Sequence, residues 1–370
     1  MKILLIRLRS IGDIIQCTPA FAAARKMFGN ASIDLMVEEK LAELVIENTS
    51  IDSLLLYKNH GRNFFEKLKY NFNFLKILRM RRYDVIIDFH GIPKTAWLSY
   101  LSGAGTRIGY NYAGRGHLYT HKIEPPEKFK VHSAVNQLNL LNAVPRELRH
   151  DRTVPNEAPS EAFMSAEYAL NETESFLMKN AIDVSNSKDP EKILIYHITP
   201  SNNFKKWPAS NYSALINMCE RHPAFKNIKL CHIIIGRCED EPAFEKIRSN
   251  VKPVKGRLVS ACGKLSLGGV YNLAKKCVCY IGPDSGPMHI AAAAKANVIG
   301  LFGPTITETF GPLSKTFIGV CNKDAACRPC EQKRCATGNF RCITNINVSD
   351  VFYSLLKLAS VNMQTETQHQ

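Results

Sequence analysis

Short apolar runs separated by helix-length segments occur in two successive series, and nothing else in the chain constrains its fold as tightly. In the first series the runs cover residues 2–8, 32–37, 53–57, 83–89 and 107–110; in the second, 192–198, 229–235, 257–260, 277–281 and 297–302. Runs that are apolar throughout suit parallel strands buried on both faces, and the segments between them supply the crossovers that parallel pairing requires. The expectation is an α/β chain with two Rossmann-like domains. Its 370 residues exceed what a single core usually holds. A polar stretch rich in Glu and Ser, residues 157–190, separates the series and reads as a hinge. The expected division is 1–185, 186–347 and a C-terminal piece, 348–370, made of a helix to 358 and a disordered tail from 361.

The sharpest chemical signal lies in the second series, where residues 280–311 read YIGPDSGPMHIAAAAKANVIGLFGPTITETFG. An apolar run turns through Gly282-Pro283 and presents Asp284-Ser285-Gly286-Pro287. Pro287 suits a first helical turn, which has no use for its missing N–H. The small residues that follow let a helix lie close to a sheet. A helix starting at the carboxyl end of a strand exposes free N–H groups that favour an anion, usually a diphosphate. Neither half carries G-x-G-x-x-G after its first strand, which weighs against an oxidoreductase or a nucleotide-sugar epimerase.

Charge and cysteine content narrow the function classes. A net charge of +15 calls for an anionic partner: nucleic acid, a membrane surface or a phosphorylated substrate. The basic residues form no long polybasic block, which weakens the nucleic-acid reading. No apolar run reaches the roughly 18 residues of a membrane span. The first segment, interrupted by Arg7 and Arg9, reads as a buried strand and not a signal peptide. Twelve scattered cysteines suit a reducing compartment, so a cytoplasmic location is expected. Cys327, Cys330, Cys335 and Cys342 have partly the spacing of a structural zinc site, but the later gaps are wide and no His is near. Free thiols or a redox-sensitive loop are the preferred reading.

Three further segments bear on a site. The turn Arg9-Ser10-Ile11-Gly12-Asp13 joins the first strand to a helix, and Asp13 by itself reads as a capping carboxylate worth about 1 kcal/mol. Residues 62–82 are basic and amphipathic. They are read first as a crossover helix, with contact to an anionic membrane as the second reading, for which Tyr70 and Phe74 are the extra aromatics. The loop 111–121, rich in Gly, Tyr and Arg, is suited to an acceptor.

Together these segments resemble the ADP-heptose–lipopolysaccharide heptosyltransferases, glycosyltransferase family 9. The resemblance rests on IRLRSIGDIIQCTPA, YDVIIDFHG, TPSNNFKKWP, IIIGRCED and GPDSGPMHIAAA...VIGLFGPT, in that order. It implies a GT-B fold, two Rossmann-like domains facing across a cleft. It also implies transfer of a heptose from an ADP-activated donor, with inversion, no required metal and no cofactor beyond the donor. Asp13 matches the family's catalytic aspartate in SxGD, a carboxylate able to take the acceptor hydroxyl's proton. Lys205, in K-x-W-P, matches its phosphate-binding lysine, with Lys206 adjacent; Thr199 and Ser201 lie in the same loop. Ser285 and Gly286 match the diphosphate cradle, Asp284 and His289 fall on DSGPxH, and Asp240 stands where relatives carry an acid near the nucleotide ribose. For His289 a purely structural role stays open. The implied acceptor is the anionic lipopolysaccharide core at the cytoplasmic face of the inner membrane, with Arg62, Lys94 and Arg115 as contacts. Other members use other sugars or acceptors. A zinc-stabilised nucleic-acid-binding protein is the alternative from another class; it would need stacking platforms with cations and full zinc occupancy, and of these the sequence shows only the charge and a cysteine set with partly the right spacing.

Overall fold

A computed structural model describes residues 1–58, 63–150, 157, 159–184, 190–252 and 255–366, without the side chains of Phe64 and of 360–366. It divides into two compact units, Met1–Met164 and Ser165–Gln370.

In the first unit β1 (Lys2–Ile6), α1 (Ile11–Phe28), β2 (Ser32–Glu38) and β3 (Ser53–Tyr57) are followed by α2 (Phe64–Arg81) and β4 (Val85–Asp88). Then come α3 (Pro93–Leu101), β5 (Thr106–Tyr110), β6 (His121–Ile123) and α4 (Ser133–Leu141). The strands form one parallel sheet of order β3-β2-β1-β4-β5-β6. Ile3 pairs with Ile33 and Val85, and the consecutive residues Ile3, Leu4, Leu5 and Ile6 are all buried, so the central strand is apolar on both faces. Leu4, Ile6 and Ile86 pack under Phe74 and Leu78 of α2.

The second unit runs α5 (Leu170–Lys179), β7 (Lys192–His197), α6 (Ala209–Arg221), β8 (Leu230–Ile235), α7 (Glu241–Asn250), β9 (Arg257–Ser260) and α8 (Leu267–Lys275). It continues with β10 (Cys277–Pro283), α9 (Gly286–Ala293), β11 (Val298–Leu301), α10 (Thr307–Phe310), β12 (Phe317–Val320), α11 (Arg341–Thr344) and α12 (Val348–Glu366). Its sheet is again parallel, β12-β11-β10-β7-β8-β9, the order of the first unit in its own numbering. Trp207, Tyr212 and Phe352 fill the core between the sheet, α6 and α12.

Several expectations need correction. The units part at Met164/Ser165, earlier than residue 185, because α5 packs on α8: Ser266 donates to Glu172, and Thr173 to the Gly269 carbonyl at 3.0 Å. The hinge residues 186–189 and the extended piece 151–156 lie outside the described residues. Residues 39–44 form only a short 3-10 turn, and α4 begins at Ser133, not near 128. The last helix continues to Glu366, into the stretch expected to be disordered. The short strands β6 and β12 carried no pattern of their own and were not expected. No helix among the described residues is long and apolar enough to cross a membrane.

Candidate active site

In a doubly wound sheet, ligands bind beyond the strands' carboxyl ends where the strand order reverses. Here those points lie between β1 and β4 in one unit and between β7 and β10 in the other. Most of the expected site residues that are described fall into two groups, one at each of these points, while Asp240 follows β8.

In the first unit β1 runs out through Arg7 into the turn before α1. Ser10 is the N-cap and Asp13 stands at the third helical position, with the Ser10 N–H donating to Asp13 Oδ2 at 3.3 Å. The Ser10 hydroxyl reaches the same oxygen at 3.1 Å, and Arg7 Nη2 lies 2.8 Å away. Asp13 is therefore a cap, as its position alone implies, and it is also clamped by a buried guanidinium. Arg7 Nη1 donates to the Phe89 carbonyl, tying the end of β1 to the end of β4.

The β4 turn is built by Asp88, wholly buried, which accepts from the His90 and Gly91 N–H groups at 2.9 Å and from Tyr119 at 2.8 Å. Gly91 has φ +64°, and a Cβ there would meet the Tyr112 ring at 2.8 Å. Burial and the nearby Arg7 push the His90 imidazole down to about 4, so it is neutral at physiological pH. Arg115 donates to the Gly91 carbonyl at 3.2 Å, and its buried Nε has no hydrogen-bond partner among the described residues. Lys94, in the first turn of α3, lies over the Tyr57 ring at 4.9 Å. Burial and Arg9 push its ammonium below the usual lysine range, while Glu38 opposes them. Lys94 and Arg115 are thus brought to the Asp13 end of the sheet. Arg62 lies outside the described residues.

In the second unit the loop after β7 carries Thr199, Ser201 and Lys205. Trp207 anchors it: the indole is fully buried and donates to the Ile346 carbonyl at 3.1 Å. Asn202 caps the short turn by accepting from the Phe204 N–H at 3.0 Å. Lys205 Nζ then reaches Asp284 Oδ2 at 2.7 Å. Thr305 donates to that oxygen, also at 2.7 Å, and His289 Nε2 is 3.9 Å from Oδ1. Burial pushes the Asp284 carboxyl up, but His289 and Lys205 outweigh it and hold it down at about 2. A buried carboxylate beside a diphosphate would repel it, so the chemistry Asp284 can offer is to orient Lys205 and Thr305.

Ser285 is the N-cap of α9, and its hydroxyl lies 3.1 Å from His197 Nδ1. Burial drives His197 down to about 4, with Arg237 adding to it against Asp240. Gly282 permits this approach, since a Cβ there would lie 2.9 Å from that of His197. Thr199 Oγ1 is buried without a hydrogen-bond partner among the described residues, and Ser201 is exposed. Gly286, half-buried, opens α9. Asp240 is 5% exposed and accepts from the Arg237 N–H at 2.7 Å, so its carboxylate is occupied in closing its own turn.

The cysteine tail is packed onto the same site. Cys330 N–H donates to the Pro304 carbonyl at 2.9 Å, and Arg328 to the Thr305 carbonyl at 2.8 Å. Cys327, Cys330, Cys335 and Cys342 are free thiols, and among the described residues no three or more His, Cys, Asp or Glu are grouped to hold a metal. The tail's visible contacts brace the Gly303-Pro304-Thr305 turn.

A sequence model of glycosyltransferase family 9 (heptosyltransferase) matches residues 72–341, well over half of the chain. The chain belongs to this family. Lipopolysaccharide heptosyltransferase 3 of Escherichia coli K12 is 24% identical over 317 residues, 84% of this chain and 85% of that protein. The glycosyltransferase family 9 structure from Veillonella parvula superposes with a TM-score of 0.77 at 20% identity, covering 97% of each chain. The Escherichia coli ADP-heptose lipopolysaccharide heptosyltransferase II gives 0.74 at 17% identity, over 98% of this chain and all of that one. The expected GT-B architecture, two Rossmann-like lobes with parallel sheets, is the fold of this family member.

Four site residues were not anticipated. Arg7 and His90 lie inside the segments IRLRSIGD and YDVIIDFHG, where neither stands out from its neighbours. His197 closes an apolar run, and Thr305 follows a Gly-Pro turn. The available signal was polarity at the carboxyl end of a buried strand, where a side chain is either a cap or aimed at a ligand.

Proposed function

We propose that this family 9 glycosyltransferase moves a heptose or related sugar from an ADP-activated donor to an anionic acceptor of the lipopolysaccharide-core type, with inversion at the anomeric carbon. The observation that carries the donor half is the Lys205–Asp284–Thr305 cluster beside the first turn of α9, at the switch point of the second sheet. In this reading the diphosphate lies against the α9 amides and the Ser285 hydroxyl, with the ammonium of Lys205 on the phosphate nearest the sugar. Thr199, whose buried hydroxyl has no hydrogen-bond partner among the described residues, is available to the same group. Asp284 and His289 act behind Lys205 as positioning residues.

Asp13 is the proton acceptor. As the acceptor hydroxyl attacks the anomeric carbon, its proton passes to the carboxylate, the bond from that carbon to the phosphate oxygen breaks, and the departing ADP takes the electron pair. Arg7 and Ser10 fix the direction of the carboxylate before reaction, which is where orientation lowers the barrier. Lys94, Arg115 and Arg9 supply cationic surroundings suited to an anionic acceptor.

A thermal-shift panel of ADP, UDP, GDP and CMP, with and without EDTA, tests the donor. ADP is expected to stabilise the protein, the others little, and EDTA to leave the shift unchanged. Lys205→Ala should abolish the ADP shift and slow transfer. Stabilisation by UDP with none by ADP would overturn the nucleotide assignment.

A further inference from the structure

Helix α2 has two apolar faces, and the sheet accounts for only one. Tyr70 and Phe74 pack edge-to-face against Tyr57, and Leu78 is buried beside them. The two aromatics that had kept membrane contact open in the sequence therefore belong to the core. On the opposite side Phe65, Leu68, Phe72 and Met80 are 78%, 56%, 58% and 81% exposed. At 100° per residue these four fall within one outward stripe, and Lys69, Lys76 and Arg79 fall in the same stripe between them. A crossover helix normally turns a polar face to solvent.

The interleaving is chemically specific. Lys76 lies over the Phe72 ring at 4.7 Å, its stem along the apolar surface and its charge at the edge. Glu66 is the one acid in α2, and it sits in the first turn. Arg79 donates to the Leu101 carbonyl at 2.8 Å, which joins α2 to α3, where Trp97 and Tyr100 are about half exposed. Large exposed aromatics and Met among outward cations match the boundary between lipid headgroups and acyl chains, where rings and cationic stems each find their medium. A protein partner would be expected to meet the cations with acids at fixed positions; a bilayer needs only charge density.

We infer that the outward face of α2, with Trp97 and Tyr100 of α3, docks this protein peripherally on an anionic lipid surface. The inference does not depend on which sugar is transferred. It adds where an amphiphilic acceptor is met.

The test is co-sedimentation of the full-length protein with phosphatidylcholine vesicles, with and without about 30% phosphatidylglycerol, without substrates. Binding is expected to the anionic vesicles only and to weaken with salt. The triple variant Phe65→Ser/Leu68→Ser/Phe72→Ser should lose at least about tenfold in partitioning. Lys69→Glu/Lys76→Glu should abolish the preference for anionic lipid; it leaves the apolar side chains in place and keeps the test decisive if the triple variant does not fold. Transfer to a deacylated, soluble acceptor should be unchanged in both, which separates failure of docking from failure of the functional reading. Equal binding to both vesicle types, wild-type-like binding of the variants, or a concentration-dependent dimer that the triple variant dissolves would overturn the inference, the last in favour of a second copy.

Discussion

Asp13 carries two duties whose chemical requirements differ, and one substitution separates them. A cap needs an oxygen that accepts N–H and O–H donors; a general base needs a carboxylate. Asn supplies the first and not the second, since its amide oxygen can still accept the Ser10 N–H from the third helical position. Asp13→Asn should therefore cost at most about 1 kcal/mol in stability, since the Arg7 pair it weakens is 40% exposed on the carboxylate side. Transfer should fall by about 10²–10⁴ with donor binding unchanged. Steady-state kinetics together with a urea midpoint read both quantities. Near-normal turnover in the folded variant would remove Asp13 from the proton transfer, leaving it a cap alone. Arg7 was harder to foresee than Asp13 because a cation interrupting a buried strand looks like a defect until the Phe89 carbonyl and Asp13 both receive it.

At the scale of the element, the carboxyl end of β7 carries a pH sensitivity of its own, as His90 does beyond the end of β4. His197 is 6% exposed, packed against β10 through the Gly282 gap, and held neutral by burial. Its folded value of about 4 lies below the unfolded value of 6.5, so on acidification the unfolded chain takes the proton first. The stabilisation from keeping it neutral is complete above about 6.5 and is lost as pH falls toward 4, roughly 2 kcal/mol of it between pH 7 and 5. Urea midpoints of wild type and His197→Gln across pH 7 to 5 should show a steeper loss in wild type; parallel curves would contradict the assignment. The same strand shows what was legible. Residues 192–198 announce a buried parallel strand, and K-x-W-P announces the loop after it. That Trp207 would anchor the loop through Ile346, far along the chain, depends on α12 folding back, which local periodicity does not encode. The outward stripe of α2 was visible as spacing, but which of its aromatics face the sheet is fixed only by contact with Tyr57.

At the scale of the whole molecule, two sheets with the same doubly wound order each carry their own apolar core. The proposed donor groups, Lys205, Thr305, Ser285 and the α9 amides, all belong to the unit Ser165–Gln370. A ligand that binds only folded protein stabilises the folding unit that holds its site. At about 100 times its dissociation constant ADP contributes about 2.7 kcal/mol, which for a unit of this size raises its midpoint by about 5–10 °C. Differential scanning calorimetry of the intact chain should therefore resolve one transition that moves with ADP and one that does not. Lys205→Ala should cancel the movement, and Asp13→Asn should leave it intact, because Asp13 lies in the other unit. An equal shift of both transitions, or a shift abolished by Asp13→Asn, would place nucleotide contacts on the first unit and require the donor half of the mechanism to be redrawn.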